Sequence, residues 1–209
     1  MNSNQYIKYI ESGLGIRPER NQFRKIALGP FLLVLLMGVI PCVVLGGNWM
    51  ILLIIMLVTS ITITIVVFII SLKQLTIRNR LIMQAFIYSN WVLQTLMLQI
   101  MFYLITWGAD FVLVILCMPP LITPLVLGLL NGKRLRSNSI ILQKRSASVI
   151  FPFAWGGIIG VLLAKSFFHS STNKMVMLFV IVSLTVLSCI FSIGLLSYQR
   201  LFYLKKYAN

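Results

Sequence analysis

The chain has 209 residues, of which 59% are hydrophobic and only 10% are charged, with a mean hydropathy of +0.98 and a formal net charge of +15. A soluble domain carries about 25% charged residues, and no polar stretch in this sequence is long enough to enclose a separate core. The composition therefore excludes a soluble protein and predicts an all-α integral membrane protein.

Residues 1–25 are predicted to form a cytoplasmic and interfacial N-terminal segment. They contain basic residues but no apolar stretch of the kind a cleavable signal needs, so the first span is expected to remain as an anchor. Tyr6, Tyr9, Ile10 and Leu14 are spaced to form one apolar face of a helix. We therefore expect a short interfacial helix with its tyrosines at the level of the lipid headgroups.

Six segments are long and apolar enough to cross a hydrocarbon core, which needs about 20 helical residues. They form one transmembrane domain, residues 26–198, and residues 199–209 follow as a cytoplasmic basic tail. The predicted spans are residues 26–47, 49–72, 81–106, 110–130, 147–168 and 175–198.

The distribution of Lys and Arg predicts that both termini lie in the cytoplasm. With that orientation, all of the 18 basic residues except Lys165 and Lys174 fall in the N-terminal segment, the inner loops or the C-terminal tail. Short cytoplasmic loops carry such an excess of Lys and Arg. The net positive charge is thus explained by orientation and by contact with anionic inner-leaflet lipids, and no nucleic-acid partner is expected.

The third predicted span is the most polar one. Asn90 and Gln94 are four residues apart and share a helical face, whereas Gln99 is rotated well away from them. Amides in lipid usually form hydrogen bonds between helices. Asn90 and Gln94 are therefore interpreted either as contacts between helices or as part of a substrate path.

The fourth predicted span contains three prolines near the middle of the bilayer. Each proline lacks an N–H and clashes with the carbonyl four residues before it, and such carbonyls need partners from neighbouring helices, hydroxyls or water. A broken helix lining a substrate path and a rigid kink that shapes packing both remain open. The residues concerned are Pro119, Pro120 and Pro124, the freed carbonyls of Ile115, Leu116 and Pro120, and the local donor Thr123.

Two further motifs suggest contacts. Gly156 and Gly160 form a G-x-x-x-G pattern in the fifth predicted span, which lets two helices approach closely. The cytoplasmic loop before that span is a candidate site for partner docking or inner-leaflet contact. Its basic residues are Lys133, Arg134, Arg136, Lys144 and Arg145.

The residues that most membrane chemistry requires are scarce. The only acids are Glu11, Glu19 and Asp110, the only histidine is His169, and all of them lie near or beyond the ends of the predicted spans. Ion-coupled transport generally needs ionisable groups near the membrane midplane, and metal sites need several His, Cys or carboxylate ligands. We therefore expect no enzyme activity, no catalytic residue, no metal site and no cofactor.

Six spans, cytoplasmic termini and the missing coupling carboxylate favour a permease-like subunit of a transporter. This topology and size are similar to those of the small permease subunits of ABC-2-type exporters. The resemblance implies a separate cytoplasmic ATPase, or another membrane subunit, and an amphiphilic or peptide substrate. The alternative is a membrane immunity or scaffold protein that binds a toxin, a lipid or a partner without transport. The abundance of Ile, Leu, Asn and Lys favours a bacterial cell membrane.

Overall fold

The computed structural model describes residue 7 and residues 9–11, 20–45, 48–136 and 173–207. Within these ranges the protein is almost entirely helical and contains no strand. A 3-10 turn, Ile193–Leu195, joins the last two helices. The helices are α1 (Arg20–Leu45), α2 (Asn48–Leu72), α3 (Ile77–Trp107), α4 (Phe111–Arg136), α5 (Asn173–Ser192) and α6 (Leu196–Tyr207).

Five stretches in this part of the chain are long and apolar enough to cross a membrane: one each in α1 to α4 and one that runs through α5, the turn and α6. This supports a multi-pass membrane protein, and the five stretches correspond to five of the six predicted spans. The predicted span at residues 147–168 lies outside the described residues.

The helix ends differ from the predicted span ends where polar residues continue a helix. Helix α3 begins at Ile77 instead of residue 81, because Thr76 caps it by accepting a hydrogen bond of 3.2 Å from the backbone N–H of Asn79. Helix α4 continues to Arg136 instead of residue 130. The basic residues Lys133, Arg134 and Arg136 therefore continue the helix beyond the apolar span, although the sequence predicted a loop there.

The predicted break after the third span is confirmed. Helix α3 ends at Trp107, and Gly108 follows with φ of 81° while its N–H donates a hydrogen bond of 3.1 Å to the carbonyl of Leu104. This backbone conformation favours glycine. The chain then enters α4 within three residues.

Helix α3 lies at the centre of the described bundle. It contacts each of the other five described helices, and half of its span is buried, whereas only 6% of the α4 span is buried. The main apolar core joins α1, α2, α3 and α5 around the buried residues Val34, Met56, Leu98, Met101 and Ile181. The least hydrophobic of the five spans is therefore the one most enclosed by protein.

The two ends of the bundle have different compositions. At one end, which we call the basic end, α1 begins, α2 ends and α3 begins, with Arg24 donating a hydrogen bond of 3.0 Å to Ser71. At the other end, which we call the tryptophan end, Trp49 and Tyr103 belong to one apolar cluster near the short turn between α3 and α4. Tyr103 is followed by Trp107 on the next turn of α3, and their rings are 5.4 Å apart.

Helix α4 and the run formed by α5 and α6 lie side by side and point in the same direction. At the tryptophan end, Leu113 of α4 and Met177 of α5 pack against the same apolar cluster. Towards the basic end, Gln199 of α6 donates a hydrogen bond of 2.8 Å to the carbonyl of Gly128 in α4. The two parallel elements are joined by residues 137–172.

Candidate functional site

The buried polar side chains of α3 fasten this helix to α2. Asn90 donates a hydrogen bond of 3.2 Å to the hydroxyl of Ser60, and Gln94 donates one of 3.1 Å to the hydroxyl of Thr59. Gln94 also donates to the side-chain oxygen of Asn90 at 3.2 Å. The four side chains therefore form one network between two helices.

Two other polar residues of α3 face different neighbours. Thr95 is bonded to Ser188 of α5, with 2.6 Å between their hydroxyl oxygens. Gln99 donates a hydrogen bond of 3.0 Å from its amide nitrogen to the backbone carbonyl of Leu116 in α4. The polar residues Asn90, Gln94, Thr95 and Gln99 of α3 thus bond to α2, α5 and α4.

The bond from Gln99 explains how α4 accommodates one of its prolines. In a regular helix the N–H at position 120 would donate to the carbonyl of Leu116, but Pro120 has no N–H. The amide of Gln99 supplies a donor in its place. Within α4, the hydroxyl of Thr123 donates a bond of 2.7 Å to the carbonyl of Pro119, which is not one of the three carbonyls freed by the prolines.

The helix continues through all three prolines, from Phe111 to Arg136. The prolines therefore do not divide the fourth span into two separate half-helices. The structure therefore contains one continuous helix here, and not the broken helix of the first interpretation.

A groove with a volume of about 530 Å³ runs along α4 beside Pro119. Its described lining residues all belong to α4, from Ile115 to Leu127, and among these described residues Thr123 alone has a polar side chain. Since that hydroxyl is already bonded to the carbonyl of Pro119, the described lining residues offer an apolar surface and no convergent set of polar groups.

The residues assigned to a single substrate path lie in two places. Pro119, Thr123 and the neighbouring prolines lie on α4, where Pro120 is buried and Pro119 is exposed. Asn90 and Gln94 lie on α3, are fully buried and bond to α2. The two sets are not brought together, so the described residues do not form one path from them.

The hydroxyls of α2 bond both within this helix and to its neighbours. Thr59, Thr62 and Thr64 donate to carbonyls of their own helix, at 2.8 to 2.9 Å. However, the hydroxyl of Thr64 also lies 3.0 Å from the carbonyl of Ala27 in α1, and Ser60 accepts from α3. These hydroxyls therefore help to join three helices.

The N-terminal segment packs against the basic end. Tyr9 donates a hydrogen bond of 2.9 Å to Gln199, and the guanidinium of Arg200 lies 5.2 Å from the centre of the Tyr9 ring. Burial raises the pKa of Tyr9, so its hydroxyl stays protonated and available as a donor. Ile10 is also buried, against Leu81 of α3. The apolar face expected to contact lipid therefore contacts the bundle at Tyr9 and Ile10.

Asp110 has a structural position at the tryptophan end. Its carboxylate accepts hydrogen bonds from the hydroxyl of Tyr103 at 2.7 Å and from the N–H groups of Val112 and Leu113 at 3.0 and 3.2 Å. The bond from Tyr103, and then those from the backbone, lower the pKa of Asp110. The carboxylate thus caps the beginning of α4.

The remaining predicted residues divide between described and undescribed parts of the chain. Lys133 is exposed near the end of α4, and Arg134 and Arg136 continue this helix. Lys144, Arg145, Gly156 and Gly160 lie outside the described residues. Among the described residues, no group of three His, Cys, Asp or Glu side chains is placed to hold a metal ion.

Two contacts were missed at the level of sequence. The proline rule identifies the Leu116 carbonyl as a group needing a donor, but only the packing of α3 on α4 selects Gln99. The bond between Tyr9 and Gln199 joins residues 190 positions apart, and no local pattern predicts it.

Comparison of the chain with protein-family models, curated proteins and solved structures gives no match.

Proposed function

We propose that the chain is a permease-like subunit of a transporter in a bacterial cell membrane, driven by a separate ATPase that docks at the basic end. The observation that carries this proposal is the charge of that end. The described cations at the helix ends and in the turn there include Arg24, Lys73, Arg80, Lys133 and Lys205, and the described part of the chain provides one carboxylate nearby, that of Glu11. Such a surface attracts an acidic partner and anionic lipid.

The same charge supports an orientation with the basic end in the cytoplasm. Both chain termini then lie inside, since the Tyr9 segment and α6 meet at this end. The interfacial role proposed for the N-terminal segment is supported by its position at the basic end, where Tyr9 bonds to Gln199.

The parallel arrangement of α4 and the α5–α6 run supports a sixth span. Residues 137–172 begin at the basic end, where α4 finishes, and finish at the tryptophan end, where α5 begins. A connection between opposite ends crosses the bilayer an odd number of times. The apolar residues 147–168 have the length that one crossing needs, about 20 residues.

The positions of the described carboxylates also support an external source of energy for transport. Asp110 is fixed at the start of α4 by Tyr103 and by two backbone N–H groups, away from the middle of the spans. Glu11 belongs to the N-terminal segment. Because proton or sodium coupling uses ionisable groups near the midplane, a partner that hydrolyses ATP is the better source. An amphiphilic or peptide substrate suits a surface as apolar as that of α4.

A second candidate function is a non-transporting immunity or scaffold protein that binds a toxin, a lipid or a partner membrane protein. This second function is favoured because the polar side chains of α3 are already bonded within the bundle. Asn90, Gln94, Thr95 and Gln99 are all buried and bonded to neighbouring helices. These amides and hydroxyls therefore hold the bundle together and do not line an open polar route.

Purification from the native membrane in mild detergent, with identification of the co-purifying proteins, separates the two functions. A stoichiometric ATPase supports the permease subunit, whereas a chain that purifies alone, or with a membrane protein or secreted peptide only, supports immunity or scaffolding. The exposed residues Lys133 and Lys205 provide the matched test, because K133E and K205E should reduce recovery of the ATPase. The substitutions K133R and K205R, which keep the charge, should leave it unchanged.

A further inference from the structure

We infer that the contact between α3 and α6 at the basic end binds a phosphate group through Arg80 and Arg200. Each of these two arginines has a buried Nε–H that donates to no acceptor among the described residues. Both side chains are only half-buried, so a ligand can still reach them. Buried charged groups in proteins are normally paired, and the two arginines therefore point to an anion that binds between these helices.

The chain itself offers few anions to these arginines. Of its three acids, Asp110 caps α4 at the tryptophan end, and Glu11 is exposed in the N-terminal segment. The described side chains that act on Arg200 are those of Tyr9 and Tyr88, and the Tyr9 ring lies 5.2 Å from its guanidinium. Tyrosine is uncharged at neutral pH, so the described surroundings of Arg200 enclose its charge without neutralising it.

Helical register places the two arginines opposite each other. The hydroxyl of Ser197 in α6 donates a hydrogen bond of 3.4 Å to the side-chain oxygen of Gln84 in α3. Arg80 and Arg200 follow on the same faces, one turn further towards the basic end on both helices. The residues that come directly after them belong to one apolar cluster, together with Ile10. The arginines therefore border the same contact between α3, α6 and the N-terminal segment.

The depth of the two arginines matches that of the lipid phosphates. With a rise of about 1.5 Å per residue, Arg80 lies about 40 Å along α3 from Trp107 at the opposite end. A hydrocarbon core is about 30 Å thick, so Arg80 and the facing Arg200 lie in the headgroup region. A guanidinium presents a planar set of N–H groups that fits phosphate oxygens. The phosphate of a lipid headgroup, or a soluble phosphate at the same end, supplies the anion.

This site is separate from the surface proposed for the ATPase. It uses two half-buried arginines between helices, whereas the docking test above concerns the exposed residues Lys133 and Lys205. The inference therefore holds for a transporter subunit and for an immunity or scaffold protein alike.

Titration of the purified full-length chain, stripped of lipid in a mild detergent, tests this inference. Binding is followed by native mass spectrometry and by the unfolding midpoint. The probes are dioleoylphosphatidylglycerol, inorganic phosphate, and dioleoylglycerol, which has the same acyl chains but no phosphate. The variants are R80Q, R200Q and R200K. The matched control is R78Q, because Arg78 is an exposed arginine at the same end of α3.

The expected result is that a phosphate compound binds and raises the unfolding midpoint, whereas dioleoylglycerol does not. R80Q and R200Q should each weaken this binding by about tenfold, because each removes hydrogen bonds to a charged group. R200K keeps the charge but loses the planar guanidinium, so it should weaken binding several-fold. R78Q should change binding by less than about twofold, since exposed charges are screened by salt. Binding of the phospholipid alone identifies a lipid headgroup, and equal protection by inorganic phosphate identifies a soluble ligand.

Four results would each overturn the inference. They are no binding of either phosphate compound, equally tight binding of dioleoylglycerol, equal weakening by R78Q and R200Q, and binding that appears only in E19Q. The last result would assign the counter-ion to Glu19, which lies outside the described residues. R200K retains the cation beside Tyr9, so unchanged binding in this folded variant would likewise contradict a guanidinium site. No ATPase is present in the titration, and its outcome is therefore separate from that of the co-purification.

Discussion

The side-chain amide of Gln99 replaces the hydrogen-bond donor that Pro120 removes from the carbonyl of Leu116. The bond is 3.0 Å long and joins the central helix α3 to the proline-containing helix α4. A carbonyl freed by proline within lipid needs a donor from elsewhere, and here that donor comes from a fully buried residue of a neighbouring helix.

Replacing Gln99 with leucine should destabilise the protein by about 1 to 2 kcal/mol, because the Leu116 carbonyl loses its donor. The measurement is the free energy of unfolding in mixed micelles of a mild detergent and dodecyl sulfate. The control is the same substitution in a P120A background, where alanine restores the N–H within α4. The loss should be clearly smaller there, and equal losses in both backgrounds would contradict this explanation.

Replacing Gly194 with alanine should destabilise the protein by about 1 to 3 kcal/mol, the usual range for overpacking. A Cβ at this position would overlap the ring of Tyr88 in α3. The matched control is G128A, since a Cβ at Gly128 meets its nearest neighbour, Leu196, at an ordinary 3.8 Å. Thermal unfolding in detergent should show a lower midpoint for G194A than for G128A; equal midpoints would show that the turn between α5 and α6 accommodates the added methyl group.

The carboxylate of Asp110 should make stability depend on pH in the acid range. Its pKa is lower in the folded protein than in the unfolded chain, chiefly because Tyr103 donates a hydrogen bond to it. Its contribution is therefore fully present above the unfolded pKa and is lost as the pH falls through the folded pKa. The unfolding midpoint should decrease as the pH falls below the ordinary aspartate pKa of about 3.9, and this decrease should be smaller in Y103F and smallest in D110N. A profile unchanged by both substitutions would contradict this assignment.

The Tyr9 side chain should hold the N-terminal segment on the bundle through its hydroxyl and through its ring, and the two contributions can be separated. Y9F keeps the ring beside Arg200 but removes the hydroxyl bonded to Gln199, whereas Y9A removes both contacts. Limited proteolysis should therefore cut before α1 slowly in the native protein, faster in Y9F and fastest in Y9A. Equal rates in all three would show that these contacts do not hold the segment.

The sequence predicted those features that depend on local rules. Gly108 marks the end of α3, because its backbone conformation favours glycine. The apolar stretches indicate the spans, because a bilayer of fixed thickness needs a fixed number of consecutive apolar residues. The partners of Gln99 and Tyr9 could not be predicted, since they depend on how helices distant in sequence are rotated against each other. The predicted span ended at residue 130, whereas helix α4 continues to Arg136. Hydropathy shows where the apolar residues end, but a helix can continue through polar residues beyond that point.

The central position of α3 has a consequence for biogenesis. Its partners for Asn90 and Gln94 are on α2, which the ribosome makes first, whereas those for Thr95 and Gln99 are on α5 and α4, which it makes later. With only the short turn at residues 73–76 between them, α2 and α3 are suited to leave the translocon together as a hairpin. A nascent chain that stops after Trp107 is therefore expected to leave Thr95 and Gln99 without these partners, and to be a substrate for membrane quality control until α4 and α5 arrive.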